Sequence, residues 1–202
     1  DGEYYTQEQL RRVVAYARAR GVRVVPEFDI PGHVTAWLVG HPELAAAPGP
    51  YVIERRWGIF DPTLDPTRED VYRVLDRFIG EMAAIFPDPC LHIGGDEVKP
   101  TQWDASPAIA AFKHKHGLDD NEALQTHFNR RLLQVLAKHG KTMVGWDEIL
   151  QPDLPPDAIV HSWRGAESLA AAATAGHGTI LSSGYYLGHL KPASYLYAVD
   201  PL

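Results

Sequence analysis

The run HIGGDE at residues 92–97 has the residue types of a catalytic strand end, because two adjacent acids follow a short apolar segment and two glycines. We predict a buried strand over residues 90–93. Neighbouring strand residues point to opposite faces, so Asp96 and Glu97 can serve one site only if the backbone leaves strand geometry, which glycine permits. The sequence therefore predicts two acids just past a strand end, able to transfer protons. The alternative interpretation is a solvated loop whose acid caps a helix.

Further polar and aromatic side chains follow the other predicted strands at the same end. They are Asp29 and His33, then Trp146, Asp147 and Glu148, then Trp163 and Arg164, and then Tyr185 and Tyr186. Aromatic rings stack on sugar rings, carboxylates bind hydroxyl groups, and a carboxylic acid can protonate a leaving oxygen. This combination predicts a carbohydrate site.

A metal site is the alternative chemistry. Its candidate ligands are His33, His92, Asp96 and His161. The chain has no compact ligand pattern such as His-Glu-x-x-His, and its single cysteine, Cys90, excludes a cysteine metal cluster and an internal disulfide. We therefore expect neither a metal nor another cofactor.

Helices and strands that position these residues alternate along the chain. A capping box at residues 6–9 predicts a helix over residues 7–20, and apolar spacing predicts two longer helices. Thr67 and Asp70 are expected to cap the first of these, and Gly140 ends the second. Two further helices are predicted over residues 105–116 and 166–175. The predicted strands cover residues 22–28, 90–93, 142–146, 158–162 and 179–182.

This alternation predicts an α/β fold with a parallel sheet joined by right-handed crossovers. In such folds the loops at the carboxyl ends of the strands build the active site. The two long connections, residues 37–65 and 98–120, both follow strand ends of this kind. We therefore expect the polar and aromatic side chains to meet at one rim of the sheet.

Composition narrows the possible partners. The 202 residues are 45% hydrophobic and 22% charged, which is typical of a globular domain. The net charge is -7, and no basic stripe is present, so we do not expect nucleic acid as a partner. No apolar stretch approaches the roughly 20 residues of a membrane-spanning helix.

Five segments of the chain resemble glycoside hydrolase family 20, the β-N-acetylhexosaminidases. They are residues 26–33, 92–98, 145–149, 162–165 and 182–187. They occur in the family's order, cover nearly the whole chain, and include the specific motif His-x-Gly-Gly-Asp-Glu. The resemblance implies a (β/α)8 TIM barrel, of which this chain resembles strands three to seven. Residues 1–202 would then form part of a single catalytic barrel domain, incomplete at both ends.

The resemblance also implies a catalytic pair. Glu97 would be the general acid and then the general base. Asp96 would orient the 2-acetamido group of the substrate, whose own carbonyl oxygen is the nucleophile. The implied activity is that of a retaining exo-β-N-acetylhexosaminidase, which removes terminal N-acetylglucosamine or N-acetylgalactosamine through an oxazolinium intermediate. An N-acetylhexosamine-containing glycan is therefore the expected substrate.

Four more residues receive a substrate-binding role from the resemblance. Tyr186 would hold the acetamido carbonyl oxygen, Trp146 and Trp163 would wall the pocket, and His33 would support Glu97. Plain core packing of the tryptophans and a structural turn at His33 are the alternatives. Asp29, Asp147, Glu148 and Arg164 fall in the matched segments, where supporting hydrogen bonds explain them as well as sugar contacts do.

The sequence departs from the family pattern in two ways, and these departures motivate a second hypothesis about function. Gly188 stands where the family usually carries a sugar-binding aspartate, and strands one, two and eight have no counterpart. The remaining strands would be needed from the rest of the chain or from a partner. The alternative function is a non-catalytic glycan-binding remnant. The presence of Asp96, Glu97 and Tyr186 favours the enzyme, because a binding module needs no acid beside the residue that orients the acetamide.

Overall fold

The computed structural model of this chain describes residues 4–186 and 190–199. Within these ranges the chain forms α-helices α1 to α8 and strands β1 to β4. The helices are α1 (Gln7–Arg18), α2 (Thr35–Gly40), α3 (Glu69–Ile85), α4 (Thr101–Asp104), α5 (Pro107–His116), α6 (Asn121–Lys138), α7 (Ala166–Thr174) and α8 (Ala193–Tyr197). The strands are β1 (Cys90–His92), β2 (Thr142–Trp146), β3 (Ile159–Ser162) and β4 (Gly178–Leu181). Single turns of 3-10 helix cover Pro42–Leu44 and Asp147–Ile149.

The strands form one parallel sheet in the order β1-β2-β3-β4. The register pairs Leu91 with Met143 and Val144 with Ile159. Each strand lies beside the next strand in the chain, as in right-handed β/α units. Helices α4 to α6 lie between β1 and β2, and α7 lies between β3 and β4, whereas the connection from β2 to β3 contains only the 3-10 turn Asp147–Ile149. The expected α/β architecture with a parallel sheet is confirmed.

Residues 22–28, predicted as a strand, do not form one in the described structure. They form a single parallel bridge between Glu27 and His92. The backbone N–H of Phe28 donates to the His92 carbonyl, and the His92 N–H donates to the Pro26 carbonyl. The segment therefore follows the edge of β1, but Pro26 removes a donor from the ladder and limits the pairing.

Helix caps explain where the helices begin. The capping box at α1 is confirmed, with Gln9 N–H donating to Thr6 Oγ1 and Thr6 N–H donating to Gln9 Oε1. The predicted cap of α3 is wrong. Arg68 occupies the cap position and makes no side-chain capping bond. Both the N–H and the hydroxyl of Thr67 instead donate to Asp65 Oδ1, so the Thr67 side chain is already engaged before the helix starts.

The core lies between the sheet and helices α3 and α6. Its fully buried side chains include Leu75 and Ile79 from α3, Phe128 and Leu132 from α6, and Met143 from β2. A second cluster joins Trp103 of α4 to Ile109 and Leu124, and the Trp103 indole donates to the Leu64 carbonyl. These contacts fix the long connections beside the carboxyl ends of the strands. No described helix has the length and apolar character needed to span a membrane.

Candidate active site

The backbone turns sharply just after β1. Gly94 and Gly95 have φ angles of 66° and 87°, and Glu97 has a φ angle of 51°. A Cβ atom on Gly94 would lie 1.9 Å from Asp29 Oδ1, and one on Gly95 would lie 2.5 Å from a methyl carbon of Ile149. Glycine is therefore required here by both conformation and space. The turn takes the chain out of strand geometry before the two acids, as the sequence predicts.

Asp96 and Glu97 meet His33 at this turn. His33 Nε2 lies 3.3 Å from Glu97 Oε2 and 3.8 Å from Asp96 Oδ2. Their side chains are 27% exposed for His33, 31% for Glu97 and 17% for Asp96. Three of the predicted site residues are thus brought together, and neither acid caps the next described helix, since α4 has Pro100 at its cap position without a side-chain capping bond. The imidazole is close enough to Glu97 to orient that carboxyl group.

Asp29 lies beneath this group and carries an unusual protonation equilibrium. It accepts a hydrogen bond of 3.1 Å from the Gly95 N–H, and its Oδ2 lies 3.9 Å from His33 Nε2. Burial, followed by repulsion from the Asp96 carboxylate, raises the pKa of Asp29 to about 8. Asp96 Oδ1 is buried without a hydrogen-bond partner in the described part of the chain. This oxygen is available to a donor from a ligand.

Trp146, at the end of β2, is held by a carboxylate from the first segment. Its indole N–H donates to Glu27 Oε1 at 2.9 Å. Burial raises the pKa of Glu27, the indole hydrogen bond opposes that shift, and repulsion from Asp96 adds to it. Glu27 was not among the predicted site residues. The long sequence separation, 119 residues, hides this contact from local pattern reading.

Trp163, which follows β3, is held in a similar way. Its indole N–H donates to the Glu148 carboxylate at 3.1 Å. Burial raises the pKa of Glu148. The neighbouring Arg164 Nε donates to Asp147 Oδ1 at 2.8 Å, and the Asp147 side chain is fully buried. In the described structure Glu148 thus supports Trp163 and Asp147 supports Arg164, as the sequence interpretation allowed.

The Tyr186 ring lies near the rings of both Trp146 and Trp163. Its ring centroid lies 6.2 Å from that of Trp146 and 6.2 Å from that of Trp163. Burial raises the pKa of Tyr186, and the nearby carboxylates of Asp96, Glu27 and Glu97 add to the shift. The phenol therefore stays protonated at neutral pH and can donate a hydrogen bond beside the acids. The six predicted residues thus fall at one end of the sheet.

His92 and His161 form a layer below Trp146. The ring centroid of Trp146 lies 4.7 Å from that of His92 and 4.3 Å from that of His161. His92 Nδ1 accepts a hydrogen bond from the Gly94 N–H, which places its proton on Nε2, 3.3 Å from His161 Nδ1. Burial and the neighbouring His161 lower the pKa of His92 to about 3. His92 is therefore a neutral support of the Gly94 turn.

The alternative metal site is only partly assembled. Among the described residues, one group has ligand atoms all within 4.8 Å of one another, and it consists of Asp29, His33 and Asp96. His92 and His161, the other candidate ligands of the metal interpretation, instead lie against the Trp146 ring. A cation could bind the first group, but the same contacts are those that support and orient Glu97.

Gln125 also supports the glycine turn. The Gln125 side-chain amide on α6 donates to the Gly95 carbonyl at 2.7 Å and thereby ties the glycine turn to the long helix. The local sequence pattern carries no signal for this contact, because Gln125 and Gly95 lie 30 residues apart along the chain. Gly188, where the sequence departs from the family pattern, lies outside the described residues.

Comparison with known proteins places this arrangement in a family. The family model described as "Glycosyl hydrolase family 20, catalytic domain" matches residues 1–196. The beta-hexosaminidase of Porphyromonas gingivalis is 37% identical over 216 residues, covering 98% of this chain and 28% of that protein. The chain thus spans less than a third of this relative.

Two solved structures show the same backbone arrangement. The chitobiase of Flavobacterium johnsoniae is 46% identical with a TM-score of 0.94, and the match covers all of this chain and 32% of that one. The exo beta-N-acetylglucosaminidase of Vibrio harveyi, solved in complex with N-acetylglucosamine, is 34% identical with a TM-score of 0.76, and the match covers 88% and 28%. The predicted fold class, a portion of a (β/α)8 TIM barrel, is confirmed.

Proposed function

We propose, since this chain belongs to glycosyl hydrolase family 20, that it carries the catalytic residues of a retaining exo-β-N-acetylhexosaminidase. The substrate would be a glycan with a terminal N-acetylglucosamine or N-acetylgalactosamine. Support for the sugar comes from the beta-hexosaminidase of Porphyromonas gingivalis and from the Vibrio harveyi enzyme, whose structure contains N-acetylglucosamine. No cofactor enters the proposed reaction.

The observation that carries the proposal is the contact of His33 with both acids. The imidazole Nε2 lies 3.3 Å from Glu97 Oε2 and 3.8 Å from Asp96 Oδ2. Two adjacent acids therefore have different surroundings, since Glu97 is the more exposed and Asp96 the more buried. A pair of carboxyl groups in different environments suits two different roles, one in proton transfer and one in charge stabilisation.

The first chemical step needs an acid and an internal nucleophile. Glu97, in its protonated form, donates its proton to the glycosidic oxygen as the bond from that oxygen to the anomeric carbon breaks. The carbonyl oxygen of the substrate's 2-acetamido group forms the new bond to the anomeric carbon. The departing alcohol keeps the proton, and Glu97 is left as a carboxylate beside His33.

Asp96 and Tyr186 serve the acetamido group in this step. The Asp96 carboxylate accepts a hydrogen bond from the acetamido N–H and stabilises the positive charge that develops on the oxazolinium ring. The Tyr186 hydroxyl donates to the carbonyl oxygen and keeps it in line with the anomeric carbon. Trp146 and Trp163 enclose the acetamido methyl group, which excludes water from the developing ring.

The second step reverses the roles. The Glu97 carboxylate removes a proton from a water molecule, and the water oxygen bonds to the anomeric carbon as the bond to the acetamido oxygen breaks. Glu97 regains its proton, and the acetamido group is restored. Two displacements at the same carbon give retention of configuration, without a covalent bond between sugar and enzyme.

The remaining barrel strands are part of the proposal. The match covers 32% of the Flavobacterium johnsoniae chitobiase. Tyr5, Val13 and Tyr16 on and beside α1 are more than half exposed. We infer that the other strands of a barrel cover such surfaces. For experiments, the completed barrel is a chimera in which this chain replaces the matching part of that chitobiase.

The decisive experiment measures release of the aryl group from an aryl N-acetyl-β-glucosaminide. The enzymes are this chain, the completed barrel, and the Glu97→Gln variant of each. The corresponding aryl glucoside, with a hydroxyl in place of the acetamido group, is the substrate control. We expect hydrolysis that needs both Glu97 and the acetamido group. A folded completed barrel that binds N-acetylglucosamine but releases no aryl group would contradict the proposal and leave a glycan-binding function.

A further inference from the structure

The orientation of the Trp146 ring depends on one directional contact. Ring contacts hold it with His92 and His161 on one side and with Tyr186 at a centroid distance of 6.2 Å. Such contacts fix the separation and tilt of rings, but they vary little as a ring rotates within its own plane. The hydrogen bond from the indole N–H to Glu27 Oε1, at 2.9 Å, fixes that remaining rotation.

Glu27 is free to serve this contact. His92 Nδ1 lies 3.7 Å from Glu27 Oε1, but it accepts the Gly94 N–H and therefore has no proton to offer the carboxylate. In the described structure, the Trp146 indole N–H is the side-chain group that donates a hydrogen bond to Glu27. A carboxylate accepting from an N–H group makes a stronger bond than a neutral acceptor does.

The same arrangement occurs a second time around Tyr186. The indole of Trp163, the other ring beside this phenol, donates to Glu148 at 3.1 Å. Both rings of the predicted pocket wall thus direct their N–H group toward a glutamate rather than into the space beside the acids. The repeated pairing indicates that the orientation of these rings is controlled by side chains outside the predicted wall.

We propose that Glu27 is a positioning residue, whose carboxylate holds the Trp146 indole in the orientation that forms the pocket wall. This inference rests on the proposed function, because the wall matters only for the acetamido group of an N-acetylhexosamine. Glu27 acts through Trp146 and takes no part in proton transfer. Its contribution therefore depends on the presence of the indole N–H.

A double-mutant cycle in the completed barrel tests this dependence. Glu27→Leu is expected to lower kcat/KM for an aryl N-acetyl-β-glucosaminide by roughly tenfold, the size of one lost charge-assisted hydrogen bond. Glu27→Gln retains an acceptor oxygen, so its kcat/KM should stay within about threefold of the parent. Trp146→Phe removes the N–H. In that background Glu27→Leu should change kcat/KM by less than about twofold.

A spectroscopic measurement separates this inference from the proposed function. With 6-fluorotryptophan in place of tryptophan, the ¹⁹F resonance of Trp146 is assigned by its absence in Trp146→Phe. Glu27→Leu should shift or broaden that resonance, and Glu27→Gln should move it less. If hydrolysis is absent but the resonance responds in this way, the proposed function fails while the positioning contact stands.

Three outcomes would overturn the inference. A Trp146 resonance unchanged in Glu27→Leu would show that the carboxylate does not orient the ring. An equal loss of kcat/KM from Glu27→Leu with and without the indole N–H would show that Glu27 acts elsewhere. A loss in Glu27→Gln as large as that in Glu27→Leu, with the same melting temperature, would show that an acceptor oxygen at residue 27 does not hold the ring.

Discussion

His33 Nε2 lies 3.3 Å from Glu97 Oε2, and both residues hold their backbones in the left-handed region, with φ angles of 53° and 51°. Residues other than glycine rarely adopt this backbone conformation, which costs of order 1–3 kcal/mol per residue. The surrounding structure, including the Gly94 and Gly95 turn, must supply that free energy. Strain is thus concentrated at Glu97, the proposed acid and base, and at His33 beside it.

This strain predicts a separation of stability from activity at Glu97. Glu97→Gly relieves the left-handed backbone, whereas Glu97→Ala removes the same carboxyl group and keeps the strain. We expect Glu97→Gly to have a free energy of unfolding about 1 kcal/mol higher than that of Glu97→Ala. Both variants should be inactive in the aryl glycoside assay. Urea unfolding measures the difference, and equal unfolding free energies would show that the turn does not strain this residue.

The close approach of Gly94 to Asp29 predicts a large cost for a single methyl group. In Gly94→Ala the new Cβ would lie 1.9 Å from Asp29 Oδ1. Gly117→Ala is the matched control, because its φ angle of 64° is almost the same as the 66° of Gly94 and its Cβ would meet no atom within 4 Å. We expect about 1–2 kcal/mol for the control and at least about 2 kcal/mol more for Gly94→Ala. Similar midpoints of urea unfolding for the two variants would contradict the close contact.

The raised pKa of Asp29 predicts a pH-dependent stability. The folded protein keeps the Asp29 proton up to a pKa of about 8, whereas the unfolded chain releases it near the ordinary value of 3.8. The unfolded state therefore binds fewer protons between these values, and the contribution of Asp29 to stability falls as the pH rises from about 4 to about 8. Asp29→Asn removes this titration and keeps an oxygen to accept the Gly95 N–H.

Unfolding free energies at pH 5 and pH 8 test this effect. Asp29→Asn should lose less stability than the parent over that interval, so its relative stability rises with pH. Asp119→Asn, the same chemical change at an exposed position, should parallel the parent. A parent and an Asp29→Asn variant with the same pH dependence would refute the raised pKa of Asp29.

The ion pair between the buried Asp147 and the half-exposed Arg164 predicts a non-additive pair of substitutions. Asp147 is fully buried and accepts a hydrogen bond from Arg164, so Arg164→Ala leaves an uncompensated buried carboxylate. We expect a cost of about 3 kcal/mol for Arg164→Ala, and recovery of much of it when Asp147→Asn is added. The exposed pair of Arg131 and Glu69 is the control, and Glu69→Ala should cost less than about 1 kcal/mol. Simple addition of the first two changes would contradict the role of the buried charge.

Local signals in the sequence predicted the elements well where one physical cause dominates. The capping box at Thr6 and the apolar stripe of α6 each depend on residues within a few positions. The cap of α3 was predicted wrongly because Asp65 competes for both donors of Thr67. The strand over residues 22–28 was predicted from its apolar composition, but Pro26 cannot donate to a ladder, and only the bridge from Glu27 to His92 forms.

The site was predictable where the motif itself carries the chemistry. Asp96, Glu97 and His33 come together as the sequence interpretation expected. Glu27 and Gln125 were missed because their partners lie 119 and 30 residues away. Nothing in the local pattern says which donor a strand-end carboxylate will meet, since that depends on how neighbouring units align in the sheet. The register of β1 with β2 therefore carries information that residue types alone do not.

The sequential strand order has a consequence for biosynthesis. Each described strand pairs with the one synthesised just before it, and the segment that bridges to β1 precedes β1 in the chain. His33 and Glu97 both leave the ribosome before β2, β3 and β4 do. His33 and Glu97 can therefore come together during translation, before Trp146, Trp163 and Tyr186 have been synthesised.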